Sequence, residues 1–303
     1  VSRYTYVNGR YAPLHDPLIE VQDRGFQFAD AVYEVWPVRE GMLLDCAGHL
    51  ARLARSLNEL SIAQPMSDAA LVCVARETLR RNRVINGIVY LQISRGAPQS
   101  REHTFPSPAV KPTLVVTAQS LSVRSLDSRA AKGISAITAP DIRWGRCDIK
   151  TVGLLPNALA REAAKRAGGS EAILVDAAGF ITEGAATNVF IVDQNGILRT
   201  RDLSNAILHG ITRKALLEAA QSLQIPIEER AFTVEEATAA REVFVSSAGM
   251  AATAVVALDG ERIGEGTPGP LTTRIREAYF QGALAAAREE ASHSVARRAR
   301  AKL

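Results

Sequence analysis

At 303 residues and 47 % hydrophobic content, the chain has enough apolar material for two domains or one large α/β unit, which excludes a disordered or fibrous polypeptide. The net charge of +4 is concentrated in residues 284–303, an Ala- and Arg-rich tail, and no basic stripe interleaved with aromatics argues for nucleic acid elsewhere. With no apolar run near the length of about 18 residues that spans a bilayer and no charged-then-apolar leader at Val1-Ser2-Arg3-Tyr4, a soluble, cytoplasmic protein is expected.

In chain order, Asn8-Gly9 between residues 4–7 and 10–11 signals a tight hairpin, since both residues tolerate positive φ. Residues 23–30, where charges flank two phenylalanines, read as a loop. Residues 31–38 and 42–45 form a second hairpin about Glu40-Gly41. Leu50, Leu53, Leu57 and Leu60 then fall at helical spacing, with Arg52 one residue off the apolar stripe. Ser67 is placed to cap a further helix carrying Leu71, Val74 and Leu79 inward. Residues 87–94 and 111–118 read as strands, and the polar segment 95–110 between them is longer than the usual connection of about five residues. Residues 120–132 lack sustained periodicity and read as an interdomain linker.

The second half opens with a strand at 134–139, a helix at about 154–167 ended by Gly168-Gly169, and a strand at 171–175. Strands at 180–183 and 188–192 follow, then a turn at Asn195-Gly196 and a helix to Leu223 that Thr212 is placed to cap. Short strands near 226–230, 242–246 and 255–258 precede a terminal helix opened by Pro270. Strands outnumber helices and hairpins dominate, so the expected class is α+β. The expected domains are an N-terminal α/β domain at 1–120, a linker at 121–132, a C-terminal domain with a largely antiparallel, barrel-like sheet at 133–283, and a basic tail at 284–303.

The chemistry is located mainly by elimination. No G-x-G-x-x-G follows a strand and no G-x-x-x-x-G-K-[ST] occurs. Cys46, Cys73 and Cys147 show no C-x-x-C spacing, and His15, His49, His103, His209 and His293 show none of the spacings of metal ligands, so no metal is expected. Only six of the 36 basic residues are lysine (Lys111, Lys132, Lys150, Lys165, Lys214, Lys302). A retained lysine among so many arginines draws attention, because only a primary amine forms a Schiff base with a carbonyl. Lys150 is the candidate, and together with Glu183, Arg52 and Thr212 it suits a phosphorylated aldehyde cofactor.

Four motifs occur in order: Asp23-Arg24-Gly25 with Asp30-Ala31-Val32-Tyr33-Glu34; Arg143-Trp144 with Arg146-Cys147-Asp148-Ile149-Lys150; Thr182-Glu183-Gly184 with Asn188-Val189-Phe190; and Leu208-His209-Gly210-Ile211-Thr212-Arg213. By these the chain, from about Tyr4 to Tyr279, resembles the fold-type IV, pyridoxal-phosphate-dependent aminotransferases, and most closely their D-amino acid transaminase branch. The resemblance implies a small N-terminal α/β domain, a larger pseudo-barrel C-terminal domain and pyridoxal 5'-phosphate as cofactor. It implies reversible amino transfer from a D-amino acid such as D-alanine to a 2-oxo acid such as 2-oxoglutarate or pyruvate, in two half-reactions.

On this resemblance Lys150 is the Schiff-base lysine and proton carrier, and Glu183 faces the pyridine nitrogen and keeps it protonated. Arg52, the helix start at Ile211 and Thr212, and the turn at Ser247 and Ala248 hold the phosphate, while Leu208 packs against the ring. Ala248 stands where related enzymes carry threonine. Tyr33, Arg101 and His103 bind the substrate α-carboxylate, to which a guanidinium donates two parallel hydrogen bonds. The implied assembly is a homodimer whose 95–110 loop serves the partner's active site. Branched-chain aminotransferase and (R)-selective amine transaminase are the alternatives in the same fold, then aminodeoxychorismate lyase, and outside catalysis an idle cofactor-binding or structural dimer.

Overall fold

A computed structural model describes residues 3–16 and 18–300, with side chains as far as residue 292. The chain divides into two compact units, Val1–Ser122 with Ile149–Gly153, and Val123–Asp148 with Leu154–Leu303.

The first unit runs β1 (Tyr4–Val7), β2 (Arg10–Pro13), α1 (Arg24–Phe28), β3 (Ala31–Arg39), β4 (Met42–Leu43), α2 (Cys46–Glu59), α3 (Asp68–Asn82), β5 (Gly87–Ser94) and β6 (Thr113–Ser120). Its antiparallel sheet has the order β2-β1-β6-β5-β3-β4. Asn8 and Gly9 both take positive φ, 46° and 100°, as the hairpin requires. Successive side chains of a strand face opposite sides. Val32, Trp36 and Val38 of β3 and Val89, Leu91 and Ile93 of β5 therefore line one side and pack with Leu53 and Leu57 of α2 and with Leu71, Ala75 and Leu79 of α3. Ser67 caps α3 by accepting from the Ala70 amide. Residues 23–30, expected as a loop, contain α1: Asp23 caps it by accepting from the Gly25 amide, and Ala29 closes it at φ 56°. A single helical turn is too short to show a periodicity.

The second unit runs α4 (Val123–Lys132), β7 (Ile134–Pro140), α5 (Leu155–Arg166), β8 (Glu171–Val175), β9 (Ile181–Gly184), β10 (Asn188–Val192), β11 (Leu198–Thr200), α6 (Ile211–Ser222), β12 (Ile227–Glu229), α7 (Val234–Thr238), β13 (Glu242–Ser247), β14 (Ala251–Leu258), β15 (Glu261–Arg262) and α8 (Pro270–Arg300). Two sequence expectations change here. The segment expected as an interdomain linker without sustained periodicity holds α4, whose half-buried Val123, Leu126 and Ala130 form a stripe too sparse to stand out, with none of its residues fully buried. Strand β14 starts at Ala251 rather than Val255, because the alanine-rich stretch before Val255 pairs with β13 despite its weak strand propensity. Residues 284–300 continue α8 along the backbone, and residues 301–303, like Val1 and Ser2 at the other end, lie outside the described ones.

The sheet has the order β12-β11-β10-β13-β14-β7-β8-β9, with β15 on β14. It is mostly antiparallel, with parallel pairs at β11·β12, β14·β7 and β7·β8. Five steps separate β10 from β9 along this path, which in a flat sheet is about 24 Å. Only residues 185–187 connect the two strands in the chain, a reach of about 14 Å at most, and the Gly184 amide donates to the Thr187 carbonyl at 2.6 Å. The sheet must therefore curl back on itself, which is the barrel-like form expected. Ile173, Ile181, Val189, Ile191, Val243, Val245 and Val255 fill its interior cluster with Phe232. Among the described residues no helix is long and apolar enough to cross a membrane.

Leu53, on the inner face of α2, is buried. Truncating it to alanine leaves a cavity in a core that cannot fully close, so Leu53→Ala should lower unfolding stability by about 2–5 kcal/mol, read from the urea midpoint.

Candidate active site

The residues singled out above divide between the units: Tyr33, Arg52, Arg101, His103 and Lys150 lie in the first, and Glu183, Leu208, Ile211, Thr212, Ser247 and Ala248 in the second.

In the first unit, Lys150 lies beside the start of β3. Its carbonyl accepts from the Tyr33 amide at 3.0 Å, Val32 and Thr151 form an antiparallel bridge, and the Lys150 Nζ sits 4.2 Å from the Tyr33 ring centroid. Tyr33 stacks on Tyr90 of β5, with centroids 5.6 Å apart. Burial, with a smaller contribution from Tyr33, pushes the Tyr90 phenol up to about 12. It therefore remains a hydrogen-bond donor, given to Gln92 Oε1 at 2.7 Å. Nothing in the sequence singles out Tyr90 beyond its place in a strand two positions from Gln92.

Glu34, the next residue on β3, points to the opposite face and is fully buried under α2. Arg52 donates to it through Nε and Nη2, both at 2.8 Å, and His49 Nδ1 lies 2.8 Å from Oε2. Arg52 is thus a buried, oriented cation rather than an exposed helix arginine. Burial opposes ionisation of Glu34, yet the charge and hydrogen bonds of Arg52 and the hydrogen bond of His49 outweigh it and hold the carboxyl at about 2. Burial lowers the His49 pKa, so its imidazole is neutral near pH 7. Arg101 and His103 meet at one aromatic ring: the Arg101 guanidinium lies 4.5 Å from the Phe28 centroid and the His103 ring 5.3 Å from it. Both side chains are exposed.

In the second unit, Glu183 is a buried carboxylate surrounded by donors. Its Oε2 accepts from the Leu208 amide and from Asn188 Nδ2, each at 3.0 Å, and its Oε1 accepts from Arg143 Nη1. Arg143 is fixed in turn by both oxygens of Asp141, at 2.9 and 2.7 Å, and by the Ala206 carbonyl at 3.0 Å. Burial works against the Arg143 charge, but the Asp141 hydrogen bonds and the Glu183 charge raise its pKa beyond the ordinary value. Asp141, opposed by burial, is held below the usual carboxylate range by Arg143 and Thr182. Cys147, half-buried nearby, is pushed up to about 11 by burial against the pull of Arg143, and its thiol donates to the Trp144 carbonyl at 3.1 Å. Asn188 is the joint of this network: Nδ2 also donates to the Leu208 carbonyl at 3.0 Å, and a Cβ on Gly210 would lie 2.0 Å from its Oδ1. Only a glycine fits there, which brings the 208–210 turn against β10.

Helix α6 starts at Ile211 with Gly210 as its N-cap and no capping side chain. Thr212 is therefore not the cap expected from sequence; it is buried in the first turn. The first-turn amides have no carbonyl partner within their own helix and favour an anion. Ser246, opposite Asn188 in the β10·β13 register, has a buried Oγ with no hydrogen-bond partner among the described residues. Such a hydroxyl needs a partner from outside the chain or carries a desolvation cost. Strand β13 ends at Ser247, and the turn through Ala248 is held by Arg276, which donates to the Met250 and Ala252 carbonyls.

Residues 31–258 match the model of the Amino-transferase class IV family, and the chain belongs to that family. It is 38 % identical over 274 residues to D-alanine aminotransferase of Staphylococcus haemolyticus, covering 90 % of this chain and 95 % of the relative. It is also 38 % identical over 278 residues to D-alanine aminotransferase of Bacillus licheniformis, covering 91 % and 96 %. Among solved structures it is similar to the branched-chain amino acid aminotransferase of Escherichia coli, at 26 % identity and a TM-score of 0.84, covering 93 % and 94 %. The T.th. branched-chain amino acid aminotransferase complexed with N-(5'-phosphopyridoxyl)-L-glutamate matches at 25 % identity and a TM-score of 0.82, over the same shares.

The Glu34 carboxyl is held at about 2 in the fold against an ordinary 4.5. Its contribution to stability is complete above about pH 4.5 and is lost as pH falls towards 2. Glu34→Gln should therefore lower the melting temperature at pH 7, and the gap from the parent should narrow between pH 4.5 and 2 in melts taken across that range.

Proposed function

We propose that the chain catalyses pyridoxal-phosphate-dependent transamination between a D-amino acid such as D-alanine and a 2-oxo acid such as 2-oxoglutarate or pyruvate, in two half-reactions. The observation that carries this reading is the buried Glu183 side chain, whose carboxyl oxygens are held by Arg143, Asn188 and the Leu208 amide, as a fixed partner for a basic ring nitrogen requires. The orphaned Ser246 hydroxyl and the uncapped start of α6 fit a phosphate. The bound cofactor would supply an aldehyde that condenses with amines and a ring that accepts the electrons of a carbanion.

The chain's own residues have separate tasks in this proposal. Lys150 Nζ anchors the cofactor and moves the proton at the substrate α-carbon, with Tyr33 shielding one side of the amine. Glu183 keeps a proton on the ring nitrogen, and Leu208 packs against the ring. Arg52, in the orientation set by Glu34, joins Ile211, Thr212, Ser247 and Ala248 around the phosphate. Arg101 and His103, with Tyr33, bind the substrate α-carboxylate. We further propose a homodimer in which this loop serves the partner subunit's site, and a cytoplasmic setting, which the three free thiols Cys46, Cys73 and Cys147 support.

Relatives named D-alanine aminotransferase at 38 % identity favour the D-amino acid reading. The likeness to branched-chain aminotransferases at 25–26 % identity favours a second, L-branched-chain reading. Stopped-flow absorbance separates them: D-alanine should convert the cofactor of the reconstituted enzyme to its amine form, and conversion by L-leucine alone would reject the proposal. Lys150→Ala should lose both the visible band of lysine-bound cofactor and turnover, and borohydride should then trap no adduct in the intact mass. Arg101→Ala should raise KM for D-alanine at least tenfold, about 1.4 kcal/mol; an unchanged KM would place the carboxylate elsewhere.

A further inference from the structure

The Asp23-Arg24-Gly25…Asp30 motif has no part in the chemistry above, although its charged groups are nearly as buried as the core. Arg24 is 3 % exposed and Arg95 is 7 % exposed, and Asp30 lies between them. The Asp30 carboxylate accepts from Arg24 Nε at 2.7 Å and from Arg95 Nε and Nη2 at 2.7 and 3.0 Å. Arg95 directs its remaining donors to the carbonyls of Leu60 and Ser61, at 2.7 and 3.0 Å, just past the end of α2. Asp23 holds the start of the motif, accepting from the Gly25 amide and from Ser94 Oγ, both at 2.8 Å. A Cβ at Gly25 would come within 2.8 Å of the Ser94 Cβ, so the third motif residue has no room for a side chain.

The other donors of Arg24 reach three consecutive carbonyls of the exposed loop. Nη1 donates to Glu102 and Thr104, at 2.5 and 3.2 Å, and Nη2 to His103 at 3.3 Å. The same guanidinium lies 4.7 Å from the Phe28 centroid, the ring against which Arg101 and His103 rest. Arg95 covers Phe105 at 3.5 Å. Residues 95–112 contain neither helix nor strand, so the path of the segment bearing Arg101 and His103 follows side-chain anchors. A planar fork can satisfy three carbonyls and a carboxylate together, which an ammonium cannot do.

We propose that Arg24, oriented by the Asp30–Arg95 pair, is a positioning residue that sets the loop presenting Arg101 and His103, and so tunes recognition of the substrate carboxylate. This rests on the assignment of Arg101 and His103 to that carboxylate. It is tested in the full-length holoenzyme with Arg24→Gln, Arg24→Lys and Arg101→Ala. Arg24→Gln should raise KM for D-alanine at least tenfold, with kcat within about threefold and the visible cofactor band unchanged. Amides at 97–110 should exchange hydrogen for deuterium faster while those of β3 and β5 keep their protection. Since Arg24 acts through Arg101 and His103, the double variant Arg24→Gln/Arg101→Ala should have a KM below the product of the two single effects. An unchanged KM and loop exchange in Arg24→Gln, or multiplying effects in the double variant, would overturn the inference. If Arg24→Gln does not fold, Arg24→Lys, which keeps the charge beside Asp30 but not the fork, decides: an intermediate rise in KM supports positioning, and parental KM with parental exchange rejects it. Should Arg101→Ala leave KM unchanged while Arg24→Gln still loosens the loop, the substrate assignment fails and the anchoring stands.

Discussion

The second unit depends on how a buried carboxyl group finds its hydrogen-bond partners out of water. Burying Glu183 without partners would carry a large desolvation cost. Three donors from separate parts of the chain prevent this: an arginine from the segment after β7, an asparagine at the head of β10, and the backbone amide of the turn before α6. Each is itself tied down, and Asp141 balances the charge of Arg143 from the other side. The curl of the sheet brings these donors together, because β9 and β10 are joined by a connection too short for a flat sheet.

The first unit solves the same problem with the signs reversed. There a cation has to be held, and a glutamate on the inner face of β3 fixes the plane of Arg52 while the neighbouring tyrosine faces the other way. The alternation of a strand thus places two kinds of chemistry one residue apart. Buried ion pairs of this sort seldom add much stability over a well-packed apolar pair. What they give here is direction.

Much of this was legible in the sequence where the signal was local. The Asn8-Gly9 hairpin, the leucine stripe of α2, the cap at Ser67 and the strand at 188–192 follow from spacing and turn chemistry, and each is present. Glu183 and Lys150 were reached through residue chemistry and resemblance. The missed features depend on contacts distant in the chain. Asn188 matters because Gly210 leaves room for it, Tyr90 because β3 and β5 pair in one register, and Glu34 because α2 folds over it. The helices α1 and α4 were missed for another reason: a five-residue turn and a helix with no fully buried residue leave too little apolar period to read.

Cys147 stands three positions before Lys150 in the chain. Its thiol is half-buried, engaged with the Trp144 carbonyl and pushed up to about 11. Thiolate is the form that alkylating agents and peroxide attack, and almost none of it exists there near neutral pH. The exposed Cys73 on α3 is the sulfur such reagents meet first. A mild oxidant would therefore mark the outside of the molecule before it reached the segment that carries the amine.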